Sequence, residues 1–455
     1  MISNDTICAL ATAQGVGAIA VIRLSGSQAI PITSKVFKGK NLADVPSHTV
    51  HYGHILDGTR VIDEVMVSVF HSPKSFTTED VVEISCHGSV YIAEQILHLL
   101  MKNGARSAKP GEFTLRAFMN GRIDLAQAEA VADMIASNSA ASLDLAIKQM
   151  RGGFSHQLKS LRTELVNFAS LLELELDFAE EDVEFANRVQ LISLIQKIQL
   201  LLAPLIDSFK MGNVMKNGVN TVIVGKPNAG KSTLLNALLN EERAIVSEIA
   251  GTTRDSIEET LNVQGIVFRF IDTAGLRKTD DVIERIGVER SYDKIKDAAV
   301  LLYVCDASAL TDVHTLIDEI NEVEKFGVPY LFIANKADLL PENLHEQIEQ
   351  TKSCVMISAK NKTGINDLKN ALFQAIVKDG IKEDQTVVTN LRHYQSLMNA
   401  NLSLTDVVTG IDQHISSELI ALDIRKALES LGEITGEVSN DEILGTIFSK
   451  FCIGK

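Results

Sequence analysis

Apolar and polar positions along the chain fall into three successive styles. Over residues 1–120, short apolar runs alternate with turn residues. Segments 18–24, 65–70 and 81–85 predict strands, and 90–101 predicts a helix stopped near Gly104. This is an α+β pattern with a core of its own. From Leu125 to Phe178 there is no proline, and glycine occurs only as the pair Gly152-Gly153. Phe154, Leu158, Leu161, Leu165, Phe168 and Leu172 recur at spacings of 4, 3, 4, 3 and 4, one stripe of an amphipathic helix. The spacing predicts long helices packed as a bundle. The acidic run Glu180-Glu181-Asp182 marks a solvated end, and residues 191–209 continue in helical style. At Val219 the style changes again. Strand-like runs at 221–224, 267–271, 300–304, 330–333 and 354–357 alternate with helical stretches, the rhythm of a parallel sheet. Residues 394–408, 416–431 and 441–451 return to helices. They are short for an independent domain, so they are expected to pack on the earlier helices, with the α/β module inserted between.

Composition narrows the class. The chain has 455 residues, 45% apolar and 22% charged, the profile of a globular multidomain protein. Apolar runs are far shorter than the ~20 residues of a membrane span, and the N-terminus lacks the pattern of a signal peptide. Five cysteines (8, 86, 305, 354 and 452) form no C-x-x-C pair, which fits a reducing cytoplasm better than a disulfide framework or a zinc ribbon. A net charge of −16 argues against broad nonspecific nucleic-acid binding but leaves room for a local basic groove.

Chemistry enters with Gly225-Lys226-Pro227-Asn228-Ala229-Gly230-Lys231-Ser232, which matches the phosphate-binding pattern G-x-x-x-x-G-K-[ST] between a predicted strand and a predicted helix. Its glycines let backbone N–H groups turn toward phosphates, and the helix N-terminus adds partial positive charge. Lys231 can reach the β- and γ-phosphates, and the Ser232 hydroxyl can ligate Mg²⁺; Thr233 follows in the same turn. Asp272-Thr273-Ala274-Gly275 ends the next apolar strand: Asp272 can hold the metal shell through water, and Gly275 can offer an N–H to the γ-phosphate. In Asn335-Lys336-Ala337-Asp338, Asp338 can accept both N1–H and N2–H₂ of guanine, a pairing adenine cannot offer. Ser358-Ala359-Lys360 fits the loop behind the base. Between the first two motifs, Gly251-Thr252-Thr253-Arg254-Asp255 supplies Thr253 as a switch threonine for Mg²⁺. Four motifs in this order resemble the Ras-like GTPases. One departure is informative: the water-orienting glutamine of that group is replaced by Leu276, so another group must orient the water. Asp280, Asp281 and Glu284 follow, although carboxylates in a switch helix are often merely solvated.

The rest of the chain is similar to the MnmE (TrmE) family of bacterial tRNA-modifying GTPases. The similarity is carried by Asp5-Thr6-Ile7, the stretch SFTTEDVVEISCH at 75–87, Pro110-Gly111-Glu112-Phe113, Arg116-Ala117-Phe118, DLAQAE at 124–129, residues 272–277, Glu284-Arg285-Ile286-Gly287 and the ending Phe451-Cys452-Ile453-Gly454-Lys455. The resemblance implies an α+β N-terminal folate-binding and dimerisation domain (1–120), an all-α helical domain (121–215 with 380–455), and an inserted Ras-like α/β P-loop G domain (216–379). It implies a homodimer that pairs with an FAD-dependent MnmG-type flavoprotein in a heterotetramer. Together they add aminomethyl or carboxymethylaminomethyl groups to C5 of the wobble uridine, position 34, of certain tRNAs. A 5-formyl- or 5,10-methylene-tetrahydrofolate is the implied one-carbon donor, and GTP, Mg²⁺ and K⁺ are implied at the G domain, with K⁺ replacing an arginine finger.

By resemblance, Asn228 with Ser247, Ile249 and Thr252 are K⁺ ligands within a loop that also contains Glu248, Ala250 and Gly251. Glu284 falls on the water-positioning glutamate. Arg23, Glu83, Arg122 and Lys455 fall on folate contacts, with Arg122 replacing a lysine of some relatives. Cys452 is then a candidate active-site thiol. Its four-residue tail also fits the prenylation format in outline, which Gly454, Lys455 and the lack of a polybasic run suit poorly. A ribosome-assembly GTPase would share the G-domain features but usually appends a basic RNA-binding module; residues 381–455 carry six Lys and Arg against eleven Asp and Glu. A signalling switch needs only a partner surface, and the motifs leave it open. If Glu284 orients the attacking water, Glu284→Ala should lose GTP turnover by on the order of 10²-fold while equilibrium binding of a fluorescent GDP analogue is retained.

Overall fold

The computed structural model describes residues 5–177, 187–240, 259–271, 298–310, 312–349, 354–377, 386–439 and 441–454. They form two compact units. The first comprises Met1–Ile135, Ile147–Leu200 and Ser396–Lys455; the second comprises Ala136–Ala146 and Leu201–Gln395.

The first unit begins with a sheet built from β1 (Ile7–Leu10), β2 (Ile19–Ser25), β3 (Phe37–Lys38), β4 (Thr49–Asp57), β5 (Arg60–Phe70), β6 (Val81–His87) and β7 (Arg106–Ser107). The strand order is β3-β4-β5-β6-β2-β1-β7, antiparallel except for β1 with β7. Alternation explains its two faces. Val65, Val67 and Val69 of β5 and Val82, Ile84 and Cys86 of β6 are buried beneath α1 (Ala29–Val36) and α2 (Val90–Lys102), whose Ile32, Val36, Ile96 and Leu100 share that core. Glu64 and Met66 of β5 lie on the exposed face.

A short helix, α3 (Glu112–Met119), is fixed by ionic contacts rather than apolar burial alone. Arg116 is 2% exposed. Its guanidinium meets Asp5 Oδ1 at 2.7 Å, Glu79 Oε2 at 3.2 Å and Glu112 Oε1 at 3.3 Å, and donates to the Asp5 carbonyl at 2.9 Å. Arg106 shares the same acids, 2.6 Å from Asp5 and 2.6 Å from Glu112. Burial opposes the charged form of Glu112, but hydrogen bonds from Arg106 and the Lys109 N–H outweigh it and hold the carboxyl below the ordinary range. The network ties the N-terminal strand, the loop before β6 and α3 to one another.

The helices follow. The stretch predicted as long helices contains α4 (Leu125–Ala136), α5 (Ala140–Met150) and α6 (Ser155–Asp177); after it comes α7 (Arg188–Asn217). The helical stripe is realised: Leu158, Leu165 and Leu172 are buried on α6. By length and composition alone α7 could cross a membrane; Leu191, Leu194, Ile195 and Ile198 in its first half are buried within the first unit.

In the second unit a sheet is formed by β8 (Val219–Val224), β9 (Glu259–Val263), β10 (Ile266–Phe270), β11 (Val300–Asp306), β12 (Tyr330–Asn335) and β13 (Cys354–Met356), in the order β13-β12-β11-β8-β10-β9. All neighbours are parallel except β9 with β10. That hairpin turns through Gln264 and Gly265, both at positive φ (51° and 88°), the backbone of a tight two-residue turn. Helices α8 (Lys231–Asn240), α9 (Val313–Glu324), α10 (Glu342–Glu349) and α11 (Ile365–Ile376) complete the α/β pattern.

The C-terminal helices are α12 (Leu391–Asp412), α13 (Ser417–Thr435) and α14 (Asp441–Ser449). As the sequence predicts, they pack on earlier helices of the first unit. Arg425 of α13 pairs with Glu173 of α6 at 2.8 Å, and Arg162 of α6 donates to Leu428 O at 3.2 Å. Phe448 of α14 and Phe451 join Leu125 and Ala128 of α4 in one apolar cluster.

Replacing Arg116 by alanine removes the buried cation from Asp5, Glu79 and Glu112, with Arg106 still paired to Asp5 and Glu112. It should destabilise the protein by on the order of 3 kcal/mol, below the full buried-pair cost because Asp5 and Glu79 are partly exposed (31% and 22%). Chemical denaturation checks this. Because Glu112 is depressed on folding, its contribution should be present at neutral pH and fade as pH falls below the ordinary carboxylate range.

Candidate functional site

The first candidate lies at the edge where the parallel strands end. β8 runs into Gly225 and the loop ends at Lys231, the first residue of α8. Gly225 and Gly230 hold positive φ of 150° and 92°. A Cβ on Gly225 would collide with the Val304 carbonyl of β11, and one on Gly230 with the Asn335 side-chain amide. The motif glycines are therefore required by close backbone approach as well as by dihedral. Lys231 Nζ donates to Gly225 O at 2.7 Å and Lys226 O at 2.9 Å, so its ammonium already sits over the loop. Ser232 is half-buried in the first turn of α8, and Asn228 and Thr233 are exposed.

Asn335, at the end of β12, joins three loops. It is 2% exposed. Its Nδ2 donates to Ala229 O at 2.8 Å, and its Oδ1 accepts from Ala359 N at 3.0 Å. Ala337 N donates to Ile357 O at 3.0 Å, which fastens the Asn335–Asp338 turn to the Ser358 loop. Ser358 is buried and its Oγ accepts from Asn361 N at 3.2 Å. Asp338 and Lys360 are exposed. Lys336, at φ 64°, pairs with Asp306 at the end of β11. Burial works against the charge on Asp306, but hydrogen bonds from Lys336 and Ser308 prevail and keep its carboxyl below the usual range. The structure thus brings together Asn228, Ala229, Gly230, Lys231 and Ser232 with Asn335, Lys336 and Asp338 and with Ser358 and Ala359. Ser247, Glu248, Ile249, Ala250, Gly251, Thr252, Thr253, Asp272, Thr273, Ala274, Gly275, Glu284 and Lys455 lie outside the described residues. Sequence reasoning missed Asp306 and Glu319, the latter paired with Lys226; both acids are distant from the motifs in sequence.

The second candidate is in the first unit. Arg23 of β2 and Glu83 of β6 are register partners, so both side chains leave the same face. They pair at 2.7 Å. The Arg23 guanidinium also lies 6.0 Å from the Phe76 ring centroid and 5.7 Å from that of Phe113, while Arg122 sits 5.9 Å from Phe76. Arg122 further donates to the Ser75 carbonyl. The chain end reaches this cluster: Gly454 O is 3.5 Å from Arg23 Nη1, and Cys452 O accepts from Gly111 N at 3.4 Å. The geometry therefore unites Arg23, Glu83 and Arg122 with the residue preceding Lys455. Sequence reasoning missed Phe76 and Phe113, whose motif strings gave no sign that they would lie against cations.

Cys452 is exposed. Burial instead pushes Cys8 and Cys86 up to about 11 and Cys354 to about 12, and raises Cys305 as well, which makes these thiols poor nucleophiles. Among the described residues no group of three or more His, Cys, Asp or Glu side chains could hold a metal ion.

Comparison with known proteins agrees along the whole length. Residues 6–122 match the family described as GTP-binding protein TrmE N-terminus, and residues 125–452 match the MnmE helical domain. The chain is 56% identical over 452 residues to the tRNA modification GTPase MnmE of Cytophaga hutchinsonii, covering 99% of this chain and 98% of that protein. Identity to the Flavobacterium johnsoniae protein of the same name is 53% over 466 residues, covering all of both chains. For the Bacteroides thetaiotaomicron protein it is 49% over 469 residues, again with full coverage. With two adjoining family matches and full-length relatives at this identity, the chain belongs to the MnmE family of tRNA modification GTPases.

Proposed function

We propose that this protein hydrolyses GTP to drive addition of an aminomethyl or carboxymethylaminomethyl group to C5 of the wobble uridine of certain tRNAs. It does so in the cytoplasm, as a homodimer working with an FAD-dependent MnmG-type flavoprotein. The observation that carries this reading is that one chain holds both a guanine-nucleotide loop set and a separate cation–carboxylate–aromatic cluster. A ribosome-assembly switch needs only the first.

At the nucleotide edge, Lys231 exchanges its two loop carbonyls for β- and γ-phosphate oxygens, and the loop N–H groups take the rest. Asp338, exposed on its turn, accepts from the guanine N1–H and N2–H₂. Ser232 and Thr253 hold Mg²⁺; Asn228, Ser247, Ile249 and Thr252 hold K⁺. Both ions take oxygen ligands, which hydroxyl, amide and carbonyl groups supply. Glu284 orients the attacking water where Leu276 cannot.

In the first unit the donor set fits a reduced folate. Glu83 is a partly exposed acceptor for pterin N–H groups, Phe76 offers a flat apolar surface, and Arg23, Arg122 and Lys455 supply cations for the anionic tail. Bound there, a 5-formyl- or 5,10-methylene-tetrahydrofolate supplies the one-carbon unit. Cys452 lies two residues before Gly454, whose carbonyl is 3.5 Å from Arg23 Nη1, and is a candidate nucleophile. With a net charge of −16, tRNA contact is carried in part by the flavoprotein.

Cells depleted of this protein should lose the C5 aminomethyl and carboxymethylaminomethyl marks from wobble uridines, and re-expression should restore them, as read by mass spectrometry of tRNA nucleosides. Intact marks would leave the G-domain reading standing alone and favour ribosome assembly. GTP turnover by the purified protein should be faster in K⁺ than in Na⁺ at equal ionic strength; equal rates would remove K⁺ from the mechanism.

A further inference from the structure

Strand β11 and helix α9 carry none of the nucleotide-binding motifs, yet each sends a carboxylate to a lysine inside one. Asp306, the last residue of β11, is the register partner of Asn335. Its Oδ2 lies 2.5 Å from Lys336 Nζ, and its Oδ1 accepts from Ser308 N at 3.1 Å and from Ser308 Oγ at 2.6 Å. The carboxylate is thus held from one side by its own turn and presented to Lys336 from the other. Both side chains are largely sheltered, at 24% and 33% exposure.

Glu319 on α9 makes the second contact, to Lys226 in the phosphate loop. It is 14% exposed, and its Oε2 is buried without a hydrogen-bond partner. The Tyr303 ring of β11 stacks on Phe332, with ring centroids 5.1 Å apart. A buried carboxylate with an unpaired oxygen is costly unless a cation neutralises it, so the pairing with Lys226 is favoured despite that lysine's 67% exposure.

We propose that β11 and α9 form a brace, in which Asp306 and Glu319 are positioning residues that hold Lys336 beside the guanine base and Lys226 at the entrance of the phosphate loop. Neither acid touches the nucleotide. A lysine stem left free samples many rotamers, and an ion pair at its tip fixes the stem as a wall. Lys336 is at φ 64° and starts the turn that presents Asp338, so fixing it also fixes the base-reading carboxylate. The second arm acts on the loop. Lys226 O is one of the two carbonyls that Lys231 grips. When Lys231 turns to a phosphate, that tie is lost. Asn335 to Ala229 and Lys226 to Glu319 are two bonds that still hold the loop from outside. The two arms differ in strength: the Asp306 pair is sheltered, whereas the Lys226 pair is open to solvent and screened by salt.

This inference rests on the reading of the sheet edge as a guanine-nucleotide site, so that reading is tested first in the same assay. The full-length wild-type protein is titrated with a fluorescent GDP analogue, and with its adenine counterpart as control. Failure of the wild type to bind the guanine probe selectively would sink the nucleotide reading itself. With that established, Asp306→Asn should weaken GDP binding about 5- to 10-fold through faster dissociation, with kcat at saturating GTP within about twofold. Asp306→Glu keeps the charge and should recover most of the affinity, which a general loss of fold would not allow. Glu319→Gln should weaken binding only about 2- to 3-fold, and the difference should vanish in high salt. Asp306→Asn combined with Lys336→Met should cost little more than Lys336→Met alone. Wild-type affinity in Asp306→Asn, or strictly additive losses in the double variant, would overturn the brace.

Discussion

Parallel strand pairing is the constraint on which the nucleotide edge depends. β8 pairs in parallel with β10 and β11, and β12 and β13 continue the same direction. Parallel strands all end at one edge, so the loops that follow them meet there however far apart they are in sequence. Ala229 and Asn335 are 106 positions apart and share a hydrogen bond of 2.8 Å. One buried amide can then hold the phosphate loop and the loop behind the base at once, because its donor and acceptor ends face different loops.

The first unit solves a comparable problem with charge. Arg116 is an almost fully buried cation whose neighbours Asp5, Glu79 and Glu112 come from three separate segments. Glu79 also accepts from Ser25 Oγ at 2.6 Å, and Asn120 Nδ2 donates to Thr77 O at 2.7 Å. The loop carrying Phe76 is thereby pinned just after that residue, and Arg122 holds the Ser75 carbonyl just before it. Phe76 can then offer its ring to both Arg23 and Arg122, whose guanidinium groups lie 6.0 and 5.9 Å from its centroid. A polar network of this kind adds little net stability, but it fixes geometry, because breaking one contact leaves the others uncompensated.

Charge is arranged against the overall trend. The protein carries −16, yet the nucleotide edge gathers Lys226, Lys231, Lys336 and Lys360, each on a motif. Local cations and inward-turned N–H groups, not net charge, make an anion site. Tethering two of these lysines to carboxylates keeps them oriented without removing them from the edge.

Much of this was legible in the amino-acid order. The buried strands β2, β6, β8, β10, β11 and β12 appear as apolar runs, and the α6 stripe appears at helical spacing, because burial on one face leaves a periodic trace. The nucleotide loops were legible because glycine, lysine and asparagine there answer to a fixed ligand. β4 was not, since His51, Tyr52, Gly53 and His54 break its alternation; nor were the two-residue strands β3 and β7. Residue by residue, sequence also named Arg23, Glu83 and Arg122, but only through likeness to a family. What it could not show is that Arg23 and Glu83 neutralise one another, that two guanidinium groups lie over the Phe76 ring, or that Asp306 and Glu319 pair with lysines on other loops. Those pairings depend on strand register and helix docking. Both are set by the packing of distant segments, and a single charged residue leaves no periodic trace of the partner it will meet.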